Sequence, residues 1–460
     1  MDFEGGIEYF TIVSLFLLNI ELFRIWRLQM LFHPSFYFSL IWLMSVPAQL
    51  FLTSEGIAFV RYEDSVKELN TLVLFTTICF LIIIRFGKNK KNKSHIKLTF
   101  TKNLRAYKIF VYITFFSSVF QFIYSTIAFG ISLNPGLNRG IVISDEYRSR
   151  SLSIFEFIGS YGGMFLPVIT ICAGYYLGLK IQKKSTLKVS NWLIILPLLI
   201  YIIQVITIGG RNPLAVGIKY YLLGLGFSTT ANKIINVNYK YILFGFFAFV
   251  LFNIFITSLG NQRREVLEEG DQYVELKSPV LNQFRGIMDY FSSHYWGYQL
   301  RRKDIYDSDK LGYGFYTFHG VFLISIPFSK LFGINSNFGD LIGMPEDNLD
   351  YFYLKENGYE SFYTTNSIYV EMICDFGEAG IYIFIILLVI YTHRAFLKLT
   401  NKNINKSINL YFYILIFKYW SSSNFQSVYA SGEIMLLFLI LFTYDLLSSI
   451  IDKLKWNYVS

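Results

Sequence analysis

TTNSIYVEMICDFGEAGIYIFIILLVIYTH, from Thr364 to His393, joins an acidic segment directly to a strongly apolar one. Glu371, Asp375 and Glu378 are four and three residues apart, so a helix through them would place all three carboxylates on one face. The apolar half that follows is typical of a helix in the hydrocarbon of a bilayer. The stretch therefore predicts a membrane-spanning helix whose entrance carries a stripe of negative charge.

The composition of the whole chain agrees with a membrane protein. Of the 460 residues, 53% are hydrophobic and 16% are charged, whereas soluble globular chains carry about 25% charged residues. The 47 Phe and 35 Tyr suit lipid-facing surfaces and interfacial belts. The three cysteines, Cys79, Cys172 and Cys374, have a spacing typical of neither a metal site nor a disulfide framework. We expect no cleavable signal peptide, because the first residues are acidic.

Eleven segments are long and apolar enough to cross a bilayer, which takes about 20 residues of helix. They lie near 7–23, 35–53, 70–86, 107–130, 152–178, 191–208, 213–230, 240–259, 380–397, 408–423 and 431–450. The predicted fold class is an all-α polytopic membrane protein that forms one integral membrane domain over residues 1–460.

The lysines predict the orientation of these crossings. GKNKKNKSHIKLTFTKNLR, at 87–105, follows the third crossing and is strongly basic, so the positive-inside rule places it in the cytoplasm. Alternation then puts the N-terminus outside and the C-terminus inside. It also leaves one large outer loop, 260–379, between crossings eight and nine. We expect short interfacial helices in this loop, among them 320–332, which Pro327 and Lys330 interrupt.

Arginine has the opposite distribution from lysine. Ten of the 15 arginines fall in segments that are predicted to lie outside. A guanidinium binds phosphate through two parallel hydrogen bonds, a geometry that lysine does not reproduce. For any single arginine, an ion pair with an acid of the same loops is the alternative explanation. As a group, the arginines predict a site for an anionic ligand at the outer face, with Arg211 placed between two crossings that have almost no loop between them.

Three patches resemble the Wzy-type O-antigen and capsule repeat-unit polymerases: GGRN at 209–212, LGYGFYTF at 311–318 and TTNSIYVEMICDFGEAG at 364–380. About eleven crossings with one large outer loop late in the chain are also similar to that family. The resemblance implies a GT-C-like glycosyltransferase in the bacterial cytoplasmic membrane, with its active site facing the periplasm or the cell exterior. It would polymerise undecaprenyl-pyrophosphate-linked oligosaccharide repeat units into a surface polysaccharide.

The same resemblance implies a lipid-linked donor and a lipid-linked acceptor. It implies no cofactor, no metal and no nucleic acid, while membrane lipids, a chain-length regulator and a flippase would be the accompanying partners. Fixed cations would stabilise the charge of the departing pyrophosphate. The candidates for this role are Arg139, Arg148, Arg150, Arg211, Arg285 and Arg301.

The attacking sugar hydroxyl must give its proton to a carboxylate or a histidine. The candidates are Glu371, Asp375, His294 and His319. For the histidines a structural role is the alternative, and Asp375 could instead orient an arginine. The candidates for contact with the sugars are Asn366, Tyr290, Tyr295, Trp296 and Tyr298.

Two other activities remain open. An O-antigen ligase uses a similar lipid-linked donor, but ligase-like sequences usually have a His-Asn pair where this chain has Thr365 and Asn366. A flippase or transporter of lipid-linked glycan would also need a cationic cavity. The large outer loop and the lack of an evident inverted repeat argue against a transporter.

Overall fold

The computed structural model describes residues 6–54, 63–87, 103–134, 138, 141–142, 162–181, 189–208, 212–228, 288, 291–292, 294–295, 297–298, 367–400, 407–422 and 433–456. In this part of the chain all regular structure is helical. The helices are α1 (Gly6–Trp26), α2 (Pro34–Ser54), α3 (Glu63–Phe86), α4 (Leu104–Phe129), α5 (Leu166–Ile181), α6 (Asn191–Ile208), α7 (Asn212–Ser228), α8 (Ile368–Thr400), α9 (Ser407–Trp420) and α10 (Glu433–Trp456). A 3-10 helix, Arg27–Phe32, joins α1 to α2.

Six of the described helices, α1, α2, α3, α4, α6 and α8, are long and apolar enough to cross a membrane. Each overlaps a predicted crossing, although α3 and α8 begin 7 and 12 residues before the crossings 70–86 and 380–397. The helices α5, α7 and α9 lie at other predicted crossings but are 16, 17 and 14 residues long. The predicted crossing 240–259 and the interfacial segment 320–332 lie outside the described residues. The chain is therefore an all-α polytopic membrane protein.

Polar side chains hold helix ends to one another. The Oδ1 atom of Asn103 accepts a hydrogen bond from the backbone N–H of Ala106 at 2.9 Å, which caps the N-terminus of α4. The Nδ2 atom of the same residue donates to the main-chain oxygen of Ser448 in α10, also at 2.9 Å. In α7, Lys219 donates to the main-chain oxygen of Ser421, just after α9. The last main-chain oxygens of a helix have no partner within the helix, so this hydrogen bond stabilises the end of a short helix.

Glycines let α5 and α7 pack backbone against backbone. A Cβ atom added at Gly174 of α5 would lie 2.0 Å from the main-chain oxygen of Tyr221. One added at Gly224 of α7 would lie 2.0 Å from the main-chain oxygen of Ile171. Close approach through small residues is the usual way for helices to associate in a membrane, where burial of apolar surface gives little driving force.

Candidate functional site

The helix α8 begins beside the candidate acids and is broken at Gly377. This residue has φ 69° and ψ 180°, which is non-helical and falls in a region that is essentially restricted to glycine. Without the break, the 33 residues of α8 would extend for about 50 Å, well beyond the hydrocarbon thickness of a bilayer. The break therefore divides α8 into a short segment before Gly377 and a long helix after it.

The long part of α8 runs parallel to α3. The ring of Tyr382 packs edge-on against Phe75 of α3, with the ring centroids 4.9 Å apart. Eleven residues further on, His393 lies against Gly87, which follows α3 directly. These two contacts advance by nearly equal numbers of residues along α3 and α8, so they fix the register of the two helices.

The short part of α8 does not continue in that register. At 1.5 Å per residue, a straight α8 would place Tyr369 about 20 Å from the level of Tyr382. Instead, the hydroxyl of Tyr369 donates a hydrogen bond to Oγ1 of Thr76 at 2.8 Å, next to the residue that Tyr382 contacts. The rings of Phe376 and Phe384 stack across the break at 4.3 Å. Residues 367–376, hereafter the fold-back segment, therefore turn back along α3 and enter the bundle.

The break separates the three acids. Glu371 and Asp375 lie one turn apart in the fold-back segment, and their exposed fractions are 5% and 0%. Glu378 follows the break and is exposed. The prediction of three carboxylates on one helical face is therefore wrong, because Gly377 interrupts the helix between the second and the third. Two of the acids remain together and are buried.

His294 reaches the interior of the bundle, although it belongs to the predicted outer loop. Its ring packs edge-on against Trp42, with centroids 4.8 Å apart, and it lies 4.6 Å from the ring of Tyr295. Trp42 is the ninth residue of the 21-residue helix α2, so His294 lies among the helices. The side chain of His294 is fully buried, and neither ring nitrogen has a hydrogen-bond partner within the part of the chain that the structure describes.

A chain of hydrogen bonds connects Tyr295 to α3 and α1. The hydroxyl of Tyr295 donates to Oδ1 of Asn70 at 2.5 Å. The Nδ2 atom of Asn70 then donates to Oε1 of Glu8 at 3.3 Å, and the hydroxyl of Thr11 donates to the main-chain oxygen of Asn70, also at 3.3 Å. All four residues are buried. Because Glu8 and Thr11 lie near the start of α1, these contacts place the cluster towards the end of the bundle at which α1 begins, hereafter the α1 end.

Trp42 connects the histidine to the fold-back segment. Its ring centroid is 4.8 Å from that of His294, 6.2 Å from that of Tyr295 and 5.9 Å from that of Tyr369. Tyr369 is two residues before Glu371 in the sequence. One side chain of α2 therefore contacts both chain segments that contribute candidate residues, and this brings the histidine and the acid-bearing helix to the same region.

Burial determines the protonation of the groups in the 291–298 segment. Complete removal from water lowers the pKa of His294 to about 3, so its imidazole is neutral near pH 7. Burial, together with the nearby carboxylate of Glu8, raises the pKa of Tyr295 well above its ordinary value. Tyr295 therefore remains a hydrogen-bond donor. Both groups are therefore uncharged near neutral pH, and the proton of the Tyr295 hydroxyl is used in the bond to Asn70.

The structure describes five of the candidate residues of the sequence. All five are buried: His294, Tyr295, Tyr298, Glu371 and Asp375. The other candidates lie outside the described residues: Arg139, Arg148, Arg150, Arg211, Arg285, Arg301, His319, Asn366, Tyr290 and Trp296.

Five residues that form these buried contacts were not candidates from the sequence: Glu8, Thr11, Trp42, Asn70 and Tyr369. The sequence does give a reason to select Glu8, because this residue lies within the predicted crossing 7–23. An ionisable residue inside a crossing is a functional candidate by default. The other four residues resemble many other polar and aromatic residues of the chain, so the sequence offered no signal for them.

No group of three or more His, Cys, Asp or Glu is arranged to hold a metal ion among the residues that the structure describes. Comparison of the chain with protein-family models, with curated proteins and with solved structures finds no match. The case for a function therefore depends on the residues themselves and on their arrangement.

Proposed function

We propose that the protein polymerises undecaprenyl-pyrophosphate-linked oligosaccharide repeat units into an O-antigen or a capsule, at the outer face of the bacterial cytoplasmic membrane. The observation that carries the proposal is the burial of two carboxylates and a histidine inside a membrane bundle, beside aromatic rings. Ionisable groups inside a membrane protein are costly and are usually functional. Carboxylates can deprotonate a hydroxyl, and aromatic rings offer apolar faces to a sugar.

The proposed reaction is glycosyl transfer between two lipid-linked glycans. A hydroxyl oxygen of the acceptor forms a bond to the anomeric carbon of the donor sugar. The bond between that carbon and the oxygen of undecaprenyl pyrophosphate breaks, and its electron pair leaves with the pyrophosphate. The proton of the acceptor hydroxyl passes to a carboxylate of the protein. The products are a lengthened lipid-linked glycan, free undecaprenyl pyrophosphate and a proton.

The base is better assigned to the fold-back segment than to His294. A histidine whose pKa is about 3 binds a proton only weakly near neutral pH. Glu371 and Asp375 are one turn apart and both buried, so either can approach a hydroxyl from the same side of the helix. In this assignment His294 binds a sugar hydroxyl through a neutral ring nitrogen and does not take the proton.

The departing pyrophosphate would be stabilised by the outer arginines of the sequence, with Arg211, Arg148 and Arg150 as the principal group. These residues belong to segments that the lysine distribution assigns to the outside. The same assignment puts the N-terminus of the chain outside, so the α1 end and its buried cluster would also face outward. Donor and acceptor would then meet at the outer interface, and the architecture would be GT-C-like.

Deletion of the gene tests the proposal in the cell and separates it from the two alternatives. Loss of a polymerase leaves surface glycan that consists of a single repeat unit. Loss of a ligase leaves long glycan that is not transferred to its final acceptor, and loss of a flippase leaves repeat units on the cytoplasmic side. Single-unit surface glycan that returns to full length with a plasmid copy supports the proposal, and either of the other phenotypes contradicts it.

A further inference from the structure

Asn70 is held in one orientation by partners on both sides of its amide. Its Oδ1 atom accepts from the hydroxyl of Tyr295, and its Nδ2 atom donates to Oε1 of Glu8. The opposite orientation would direct the amide oxygen at the carboxylate of Glu8, where no hydrogen bond can form between two acceptors. The acceptor on Glu8 therefore determines that Asn70 presents its oxygen to Tyr295.

Tyr295 in turn holds a remote part of the chain inside the bundle. Asn70 and Tyr295 are 225 residues apart in sequence, and the bond between them is 2.5 Å long. Tyr295 is the neighbour of His294 in the chain, and both rings contact Trp42. Without the bond to Asn70, the 291–298 segment would keep its aromatic contacts but lose a buried hydrogen bond and leave the amide of Asn70 with an unsatisfied oxygen.

We propose that Glu8 and Asn70 are positioning residues that fix the 291–298 segment in the bundle and so hold His294 beside Trp42 for the reaction. The part of the proposal that concerns catalysis rests on the proposed function. Glu8 acts through its hydrogen-bond acceptor and not through its charge. Asn70 does not relay a proton, because its amide group has no basic or acidic proton to exchange near neutral pH.

The role of Glu8 predicts different effects for two substitutions. In Glu8→Gln the side-chain oxygen can still accept from Asn70, so the orientation of the amide is kept. In Glu8→Leu the acceptor is gone, and the amide of Asn70 can turn over. A residue that acted by its charge would respond to both substitutions in the same way.

Thiol labelling measures the positioning without any substrate. The Ser292→Cys substitution places a thiol in the buried segment, in a full-length protein whose native residues Cys79, Cys172 and Cys374 are replaced. A membrane-impermeant maleimide is the probe. We expect Asn70→Leu and Glu8→Leu to accelerate labelling about tenfold, because loss of a buried hydrogen bond raises the population of the open segment by about that factor. Glu8→Gln is expected to stay within about twofold of the parent.

Asn19→Leu is the matched control, because it also removes an asparagine side chain that forms a hydrogen bond between two helices. Asn19 of α1 accepts a hydrogen bond from the hydroxyl of Ser39 in α2 at 2.9 Å, further along α1 than the cluster. The proposal is overturned if Asn70→Leu labels no faster than Asn19→Leu, or if Glu8→Gln labels as fast as Glu8→Leu. If a leucine variant fails to fold, Tyr295→Phe removes the same bond by deleting one hydroxyl, and labelling of this variant at the parental rate overturns the proposal equally.

Chain-length assays test whether the positioning acts through His294. With extracted undecaprenyl-pyrophosphate-linked repeat units as the probe, we expect Asn70→Leu to lower kcat about tenfold while KM changes little. In a His294→Phe background the same substitution should cause no further loss. If Asn70→Leu lowers kcat by the same factor in the His294→Phe background as in the parent, the proposal is contradicted. If the parent protein itself forms no polymer, the proposed function fails, and the labelling experiment still decides the role of Glu8 and Asn70.

Discussion

Gly377 is the residue on which the candidate site depends most directly, and Gly377→Ala tests this dependence. At φ 69° and ψ 180° the backbone occupies a region that residues with a side chain avoid. Alanine must either accept strain of about 1–3 kcal/mol at this position or relax the break. We therefore expect Gly377→Ala to lower the free energy of unfolding by that amount, or to shift the fold-back segment.

A shift of the fold-back segment would move both buried acids. Displacement of a catalytic group by about 1 Å can lower the rate about a hundredfold, even when the substitution does not touch the reacting atoms. We therefore expect polymer formation by Gly377→Ala to fall by about ten- to a hundredfold. The substrate should still bind, because the substitution adds only one methyl group and removes no side chain that would contact it.

Two glycine controls separate the break from general effects of the substitution. Gly130→Ala introduces strain of about 1 kcal/mol at the left-handed end of α4, far along the chain from the acids. Gly163→Ala adds a Cβ atom whose nearest neighbour, Gln204, would be at the ordinary distance of 3.8 Å. The assays are equilibrium unfolding in mixed micelles and polymer formation. If Gly377→Ala is as stable and as active as Gly163→Ala, the break at Gly377 does not hold the site together.

Three further predictions follow from the described contacts. Gly224→Ala, whose Cβ atom would lie 2.0 Å from a backbone oxygen of the facing helix, should lower the free energy of unfolding by about 1–3 kcal/mol more than Gly163→Ala in the same unfolding assay. The folded-state pKa of His294 is about 3 and its unfolded value is about 6.5, so the unfolded protein binds an extra proton at this residue below pH 6.5. Lowering the pH from 7.5 to 5 should therefore cost the parent protein about 2 kcal/mol more free energy of unfolding than it costs His294→Phe, and an equal pH slope in both proteins would contradict this. Tyr295→Phe and Tyr107→Phe each delete the hydroxyl of a buried, hydrogen-bonded tyrosine, and each should lower the free energy of unfolding by about 1 kcal/mol. Only Tyr295→Phe should slow polymer formation, and an equal rate of polymer formation in the two variants would contradict the candidate site.

Hydropathy predicts the membrane helices well because it depends on local composition. The predicted crossing 191–208 has the same bounds as α6, and 35–53 differs from α2 by one residue at each end. A run of apolar residues cannot cross a bilayer in any other form, since every backbone polar group must be bonded within the segment. The presence of the six long apolar helices could therefore be predicted without knowledge of their neighbours.

The break in α8 could not be predicted in the same way. Glu371, Asp375 and Glu378 have helical spacing, and that spacing continues through Gly377 without a proline or any other strong stop signal. Glycine is tolerated inside many membrane helices, so its presence alone does not mark a fold-back. What shows the break is the contact of Tyr369 with Thr76, and this contact depends on the packing of α8 against α3.

The candidate site could be predicted only in part for a similar reason. Its acids and His294 belong to residue types that carry catalysis, so the sequence offered them as candidates. Asn70 and Tyr295 contribute through a contact across 225 residues of sequence, which no local pattern encodes. Their roles follow from partners and distances, and the residue types alone do not indicate them.

Polymer formation by the purified protein tests the central claim most directly. Protein reconstituted in liposomes and supplied only with undecaprenyl-pyrophosphate-linked repeat units should produce a ladder of chain lengths and release undecaprenyl pyrophosphate. The double variant with Glu371→Gln and Asp375→Asn should be slower by about a hundredfold or more, because both candidate bases are lost. The Glu378→Gln variant should keep the ladder, since Glu378 is exposed beyond the break. The absence of a ladder from the unaltered protein, or an undiminished ladder from the double variant, would contradict the account.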